Sequence, residues 1–286
     1  MDKDNYAGAK DNPFSEDSGI LWHFTSQEGL PSILLGDDGL LAGHTSFMSD
    51  PEDCILRNRL WASLVKVVKG NPKEASEEEK IFAAVEERIA AGAFYPIFVA
   101  CFTTDVHEKQ MWTSRTQNGG FAIGFDKEML LADIGRQSDD VFVKVCDYDT
   151  FEENKQKCDK LREDIAFFAG QEQDDKSRIA EYRRLKDECM KLVACKRRPL
   201  EWEQETRIVY SFPSALPEER IRYLGARPFV TMALKTHIRN YVKCIAVSPL
   251  GDVRRSLVLA NFVAAAIGKE PDIVQEMDYF VFPRKK

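Results

Sequence analysis

Apolar residues in this chain come in short runs, and the period within each run sorts strands from helices. Ile20-Leu21-Trp22-His23-Phe24-Thr25 is the first, an aromatic strand. Thr25 or Ser26 caps a following helix with Glu28 in its first turn. That helix has Leu30, Ile33 and Leu34 on its apolar face and Gly36 at its end. Leu40-Leu41-Ala42-Gly43 is a second extended piece. Pro96 to Phe102 and Phe121 to Phe125 are apolar on both faces, which predicts central strands. Between them, His107 to Arg115 reads as a polar connection holding Met111-Trp112. Further strands are predicted at Val141 to Val145, Ile221 to Leu224, Phe229 to Met232 and Val242 to Ser248. Helices are predicted at about 50–68, with Asp50 before Pro51 as N-cap, at about 76–91, at 234–241 and at 252–267. Residues 272–282 read as a last extended segment.

Two stretches break this rhythm. Residues 1–18 are rich in Asp, Asn, Gly and Ser and read as a mobile N-terminal arm. Residues 151–195 are charge-rich, with one stripe of Leu161, Ile165 and Phe168 and another of Ile179, Tyr182, Leu185, Cys189 and Leu192. With Gly170 between them, they predict two antiparallel helices inserted into the rest. Strands and helices mix without regular βαβ alternation, so the fold class is α+β, one domain over 19–286 carrying a helical insertion at about 151–195.

The stretch with the most chemistry is Glu201-Trp202-Glu203-Gln204-Glu205-Thr206-Arg207, leading into Ile208-Val209-Tyr210. Read as a strand, it lines Glu203, Glu205 and Arg207 along one face, with Trp202, Thr206 and Ile208 on the other. Two adjacent carboxylates repel unless a cation relieves them, and Arg207 supplies that cation. A solvated strand face with one salt bridge and a catalytic carboxylate with a helper both fit this pattern. His23, in the first strand between Trp22 and Phe24, fits either a core position or a ligand contact. Lys196-Arg197-Arg198 is the densest basic cluster and suits a solvated helix C-terminus or a phosphate or nucleic-acid contact.

Composition narrows the classes. A 44% hydrophobic and 30% charged chain of 286 residues belongs with ordinary globular proteins. A net charge of −7 does not advertise nucleic-acid or anionic-membrane binding, and no run of about 20 apolar residues is present to span a membrane. The acidic, polar N-terminus is not a Sec-type signal. The seven cysteines are odd in number and show no Cys-x-x-Cys spacing, so reduced thiols in a cytoplasmic setting are expected, with no disulfide framework and no metal. A Cys-His hydrolase built on Cys101 and His107 fits poorly, because Cys101 lies in an apolar strand where thiols are inert.

In order along the chain stand Trp22-His23-Phe24-Thr25, Ser49-Asp50-Pro51-Glu52-Asp53, Cys101-Phe102, Met111-Trp112, Gly120-Phe121-Ala122-Ile123-Gly124-Phe125-Asp126 and Glu203 to Arg207. This order resembles a prokaryotic family, the domain of unknown function numbered twenty-nine seventy-one, over roughly residues 20–250. The chain departs from that pattern at Ser49 in place of Asn, Arg115 in place of Tyr and Leu200 in place of Trp. His23-Phe24-Thr25 followed by Leu30-Pro31-Ser32-Ile33-Leu34 and Gly39-Leu40-Leu41 also resembles, more loosely, the opening of ADP-ribosyltransferases, nearest to the DNA-modifying toxins among them.

That second resemblance implies a mixed, largely antiparallel β core and NAD as substrate. It makes Glu205 the carboxylate that stabilises the ribose cation, with Glu203 acting on the acceptor. His23, Thr25 and Arg207 would contact the cofactor, and Phe102 or Trp112 would stack on nicotinamide. The biological setting it implies is a toxin, an effector or a phage-defence component. The sequence leaves the acceptor open among protein, nucleic acid, small molecule and water. It also leaves open a non-catalytic module of the same fold that senses a nucleotide or binds a partner.

Overall fold

The computed structural model describes residues 19–48, 97–116, 119–134, 141–169, 177, 180, 181, 184, 188, 191–211 and 220–277. The expected arm at 1–18, Asp50 and the expected helices at 50–68 and 76–91 lie outside the described residues, as does the end of the last extended segment.

The chain is mixed α+β, built on a largely antiparallel ten-stranded sheet. Its strands are β1 (Ile20–Thr25), β2 (Leu41–His44), β3 (Ile97–Thr103), β4 (Phe121–Asp126), β5 (Val141–Val145), β8 (Glu205–Ser211), β9 (Ile221–Leu224), β10 (Arg227–Thr231), β11 (Val242–Val247) and β12 (Val274–Glu276). β6 (Asp147–Asp149) and β7 (Cys195–Arg197) form a separate parallel pair. The main path runs β12-β11-β4-β1-β3-β2-β10-β9. β8 adds to the second edge of β3, and β5 adds to β8.

β1 pairs with β4 along its whole length but meets β3 at a single register position, Trp22 opposite Thr103. The other half of that edge of β3 pairs with β2, at Phe98 and Val99. The sheet therefore opens between β1 and β3 beyond Trp22. Cys101 lies on this stretch of β3, and its carbonyl is reached there by the His23 side chain, at 3.0 Å from Nδ1.

Both faces of the sheet are covered. On one, Leu21, Phe98, Phe102, Ile208 and Tyr210 join the large core with α1 (Gly29–Leu35) and α5 (Val253–Ala266). On the other, Ile20, Trp22, Phe24 and Ala122 pack against Met111 and Trp112 of α2 (Lys109–Arg115). The stretch expected as a polar connection is thus a short helix. Seven residues are too few for helical propensity to hold them alone. Glu108 accepts a hydrogen bond from the Gln110 N–H at the start, and the buried Trp112 indole donates to the Val106 carbonyl at 2.7 Å. Burying a side chain of that size contributes roughly 2–3 kcal/mol, enough to fix a short helix in place. Gly124 belongs to the same face: a Cβ there would come within 2.9 Å of both Ile20 and Trp22, so only glycine lets the indole lie across β4.

A helix that the apolar pattern did not predict, α3 (Lys127–Ile134), follows β4, with Asp126 accepting from the Met129 N–H at 2.9 Å. In the charged stretch, α4 (Phe151–Ala169) buries Cys158 and Leu161. Residues 177, 180, 181, 184, 188 and 191 are helical as well. The two parts of this stretch touch through Arg184 and Asp164 at 3.4 Å. The expected helix at 234–241 is a 3₁₀ turn at Ile238–Tyr241, and β12 runs parallel to β11.

Candidate functional site

Antiparallel pairing sets Glu205 opposite Thr103, and Arg207 opposite Cys101. Paired residues share a face, so Glu205, Arg207, Cys101 and Thr103 lie on the Trp22 side of the sheet, and Thr206, Ile208 and Tyr210 enter the large core. The expected alternation holds from Glu205 onward. It does not hold before it: Arg198–Glu203 is a 3₁₀ helix, and Gln204 adopts a φ of +40°. That left-handed residue breaks the strand. Glu203 therefore comes to the site from a turn rather than along the strand face. Its carboxylate still converges with that of Glu205.

The point of convergence is Lys196, whose ammonium donates to both Glu203 Oε2 and Glu205 Oε2. Sequence reasoning placed this lysine in a basic cluster, at a solvated helix C-terminus or at a phosphate or nucleic-acid contact. Instead β7 buries it beside β6, with Tyr148 as its register partner, while the exposed Arg198 lies 3.7 Å from Glu153. The signal that separates Lys196 from its basic neighbours is the apolar run before it, Leu192-Val193-Ala194-Cys195.

Each carboxylate has a second cation. Arg207 Nε donates to Glu205 Oε1 at 2.9 Å, and its Nη1 donates to the Val193 carbonyl. Arg115, at the end of α2, donates from Nη2 to Glu203 Oε1 at 2.8 Å. The Glu205 backbone N–H donates to the Tyr148 hydroxyl at 2.7 Å. Burial works to raise the Glu205 carboxyl, but Arg207 and then Lys196 outweigh it and hold the group far below the usual carboxylate range. Glu205 is accordingly a fixed negative charge rather than a proton carrier. The Cys101 thiol donates to that carboxylate, and burial together with the Glu205 charge keeps it protonated, which removes it as a nucleophile.

His23 reaches the cluster from the other face. Its ring lies 5.8 Å from that of Phe102 and its Nδ1 bonds to the Cys101 carbonyl. Burial lowers its pKa, with the carbonyl contact opposing, so the imidazole is neutral near pH 7. A carbonyl only accepts, so Nδ1 carries the proton and Nε2 is left as an acceptor. Cys101 thus links the two halves of the predicted site, through its carbonyl to His23 and through its thiol to Glu205. Thr25 is buried, two positions beyond His23 on the same strand. Phe102 and Trp112 are 2% and 0% exposed on opposite faces of the sheet, so neither ring has an open face on which a nicotinamide could stack. Trp112 instead packs edge-on against Phe24 at 4.7 Å.

Among the described residues, no group of His, Cys, Asp and Glu is placed to hold a metal ion, and no helix is long and apolar enough to cross a membrane. Comparison of the chain with protein-family models, with curated proteins and with solved structures finds no match.

Proposed function

We propose that the cluster around Glu205 is the NAD-cleaving site of an ADP-ribosyltransferase. The nicotinamide C–N bond breaks, nicotinamide leaves with the electron pair, and a nucleophile on the acceptor attacks the ribose carbon. Positive charge builds on the ribose before the new bond forms, and a preorganised anion stabilises it most where water is excluded. Glu205 is such an anion, charged at every pH of interest and held without rotational freedom by Arg207 and Lys196. Glu203, whose partner Arg115 reaches the surface, takes the proton released by the acceptor. The neutral His23 offers Nε2 to a ribose hydroxyl. The observation that carries this reading is the convergence of Glu203 and Glu205 on one buried lysine.

The test is free nicotinamide measured over time from purified protein and NAD, with candidate acceptors added. Release by the wild type is expected to be lost in Glu205→Gln while the melting transition remains cooperative. Unchanged release in that variant would overturn the assignment of Glu205.

The closed character of the network favours a second reading, a module of the same fold that binds a nucleotide without turning it over. Both Glu205 oxygens are engaged within the protein and the side chain is only 7% exposed. NAD binding by calorimetry with no nicotinamide released under any acceptor would select this reading.

A further inference from the structure

We propose that Tyr148 is the positioning residue of this site, the side chain that fixes the Glu205 carboxylate by holding the Glu205 backbone. For its catalytic consequence the inference rests on the reading of Glu205 as the anion beside the ribose. β5 and β8 pair as far as Val145 opposite Thr206. One step further, that register sets Cys146 opposite Glu205, and in a regular ladder such a pair exchanges two backbone hydrogen bonds or none. Here one of the two is made. The Cys146 N–H donates to the Glu205 carbonyl at 2.8 Å, while the Glu205 N–H donates to the Tyr148 hydroxyl at 2.7 Å. A side chain thus takes the place of a backbone carbonyl at the first residue of β8, directly after Gln204 with its φ of +40°.

Glu205 is buried, and a buried N–H needs an acceptor, so the hydroxyl ties down the backbone at this point. Tyr148 is also the register partner of Lys196 in the β6–β7 pair, and the Lys196 ammonium donates to Glu205 Oε2. Neighbouring strands therefore hold the two ends of one residue, β6 its N–H and β7 its carboxylate. Burial pushes the Tyr148 hydroxyl well above its ordinary value, with the Glu205 N–H opposing, so it stays neutral and the hold does not change around neutral pH. An anion stabilises a transition state by being in place before charge develops, and misplacement on the order of 1 Å costs up to about a hundredfold in rate. The role of Tyr148 runs through Glu205. Without the hydroxyl, Lys196 and Arg207 still compensate the charge of the carboxylate, but the strand end that carries it is released.

Tyr148→Phe keeps the ring and deletes the acceptor. In the wild type the Glu205 amide is expected to exchange slowly with solvent deuterium, although its acceptor is a side chain. In the variant it is expected to exchange about tenfold faster, the loss of one hydrogen bond. With NAD as substrate, the variant is expected to release nicotinamide with kcat lower by about tenfold or more and KM within about twofold. Packing of the ring alone would instead lower the melting temperature and leave kcat where it is. A wild-type Glu205 amide that exchanges as fast as one in an unstructured peptide overturns the proposal without any variant. So does unchanged kcat in Tyr148→Phe, or a rise in KM alone, which would make Tyr148 a ligand contact. Failure of the two ideas is distinguishable. No nicotinamide from the wild type, with the Glu205 amide still protected through Tyr148, sinks the transferase reading alone. Nicotinamide release that Glu205→Gln abolishes and Tyr148→Phe leaves unchanged sinks this inference alone.

Discussion

Two regions of this molecule are built from the same charged residue types and use them in opposite ways. Around Glu205, two carboxylates and three cations among the described residues are gathered at the end of β8, and four of these five are almost entirely withdrawn from water. In the stretch from α4 to residue 191, Arg184 meets Glu181 at 2.7 Å and Asp164 at 3.4 Å, with every partner a third to a half exposed. The distances are alike, but the surroundings are not. In water the ions lose little by separating; in the sheet, Lys196, Glu203, Glu205 and Arg207 have surrendered their hydration and depend on one another. Contact distance alone therefore says little about what an ion pair does for a fold. Desolvation decides it.

Removing Lys196 is the most direct way to break this contrast. Lys196→Met leaves the length and the apolar stem of the side chain and deletes the charge that Glu203 and Glu205 share. Loss of one member of a buried ion cluster costs about 3–5 kcal/mol. The lower end is expected here, because Arg115 and Arg207 each retain a carboxylate. Urea unfolding should show the loss as a lower midpoint with unchanged slope. Adding Glu205→Gln to Lys196→Met should destabilise by less than the sum of the two single changes, since the partners are coupled through one network. Full additivity would mean that the cluster is not a unit.

The same contrast explains what was legible in the sequence. The runs Ile97–Phe102 and Phe121–Phe125 are apolar on both faces because both faces are covered, and local pattern was enough to find them. Glu205 and Arg207 were legible as face-sharing neighbours because period-two spacing is also local. α2 and α3 were missed as helices: each is short, and what fixes them is Trp112 against Val106 and Phe24, or Leu130 and Ile134 in the core, contacts a propensity argument does not contain. Lys196 and Cys101 escaped the site for a related reason. Their roles come from the pairing of β3 with β8 and of β6 with β7, across separations of some fifty to a hundred residues, and register at that distance is not written in any short window.

A smaller and pH-dependent effect sharpens the comparison at His23, the uncharged neighbour of the buried network. Burial holds its folded pKa below the ordinary 6.5. Between those two values the unfolded chain binds a proton that the folded imidazole refuses, so stability falls as pH drops below 6.5 toward the folded value. The slope contributed by one such group is at most about 1.4 kcal/mol per pH unit. His23→Asn keeps a donor for the Cys101 carbonyl and does not titrate. Melting curves at pH 7.5 and pH 5.5, chosen as about one unit either side of the ordinary value, should lie closer together in the variant than in the wild type. An equal gap in both proteins would mean that His23 is protonated in the fold.

The smallest effect belongs to the exposed region, and it has to be small for the comparison to hold. Arg184→Ala removes two ion pairs at once, to Glu181 and to Asp164. All three side chains keep much of their hydration, and the Glu181 contact spans a single helical turn, so its worth is that of an exposed pair, a few tenths of a kcal/mol. Alanine also restores some helical propensity, which offsets part of the loss. The net change in unfolding free energy should be within about 0.5 kcal/mol and should shrink further as salt screens the exposed charges, whereas the Lys196→Met loss should hardly respond to salt. A salt-insensitive loss of several kcal/mol at Arg184 would show that this stretch is buried in the working protein, against a partner or a second copy, and that the two charge clusters are alike after all.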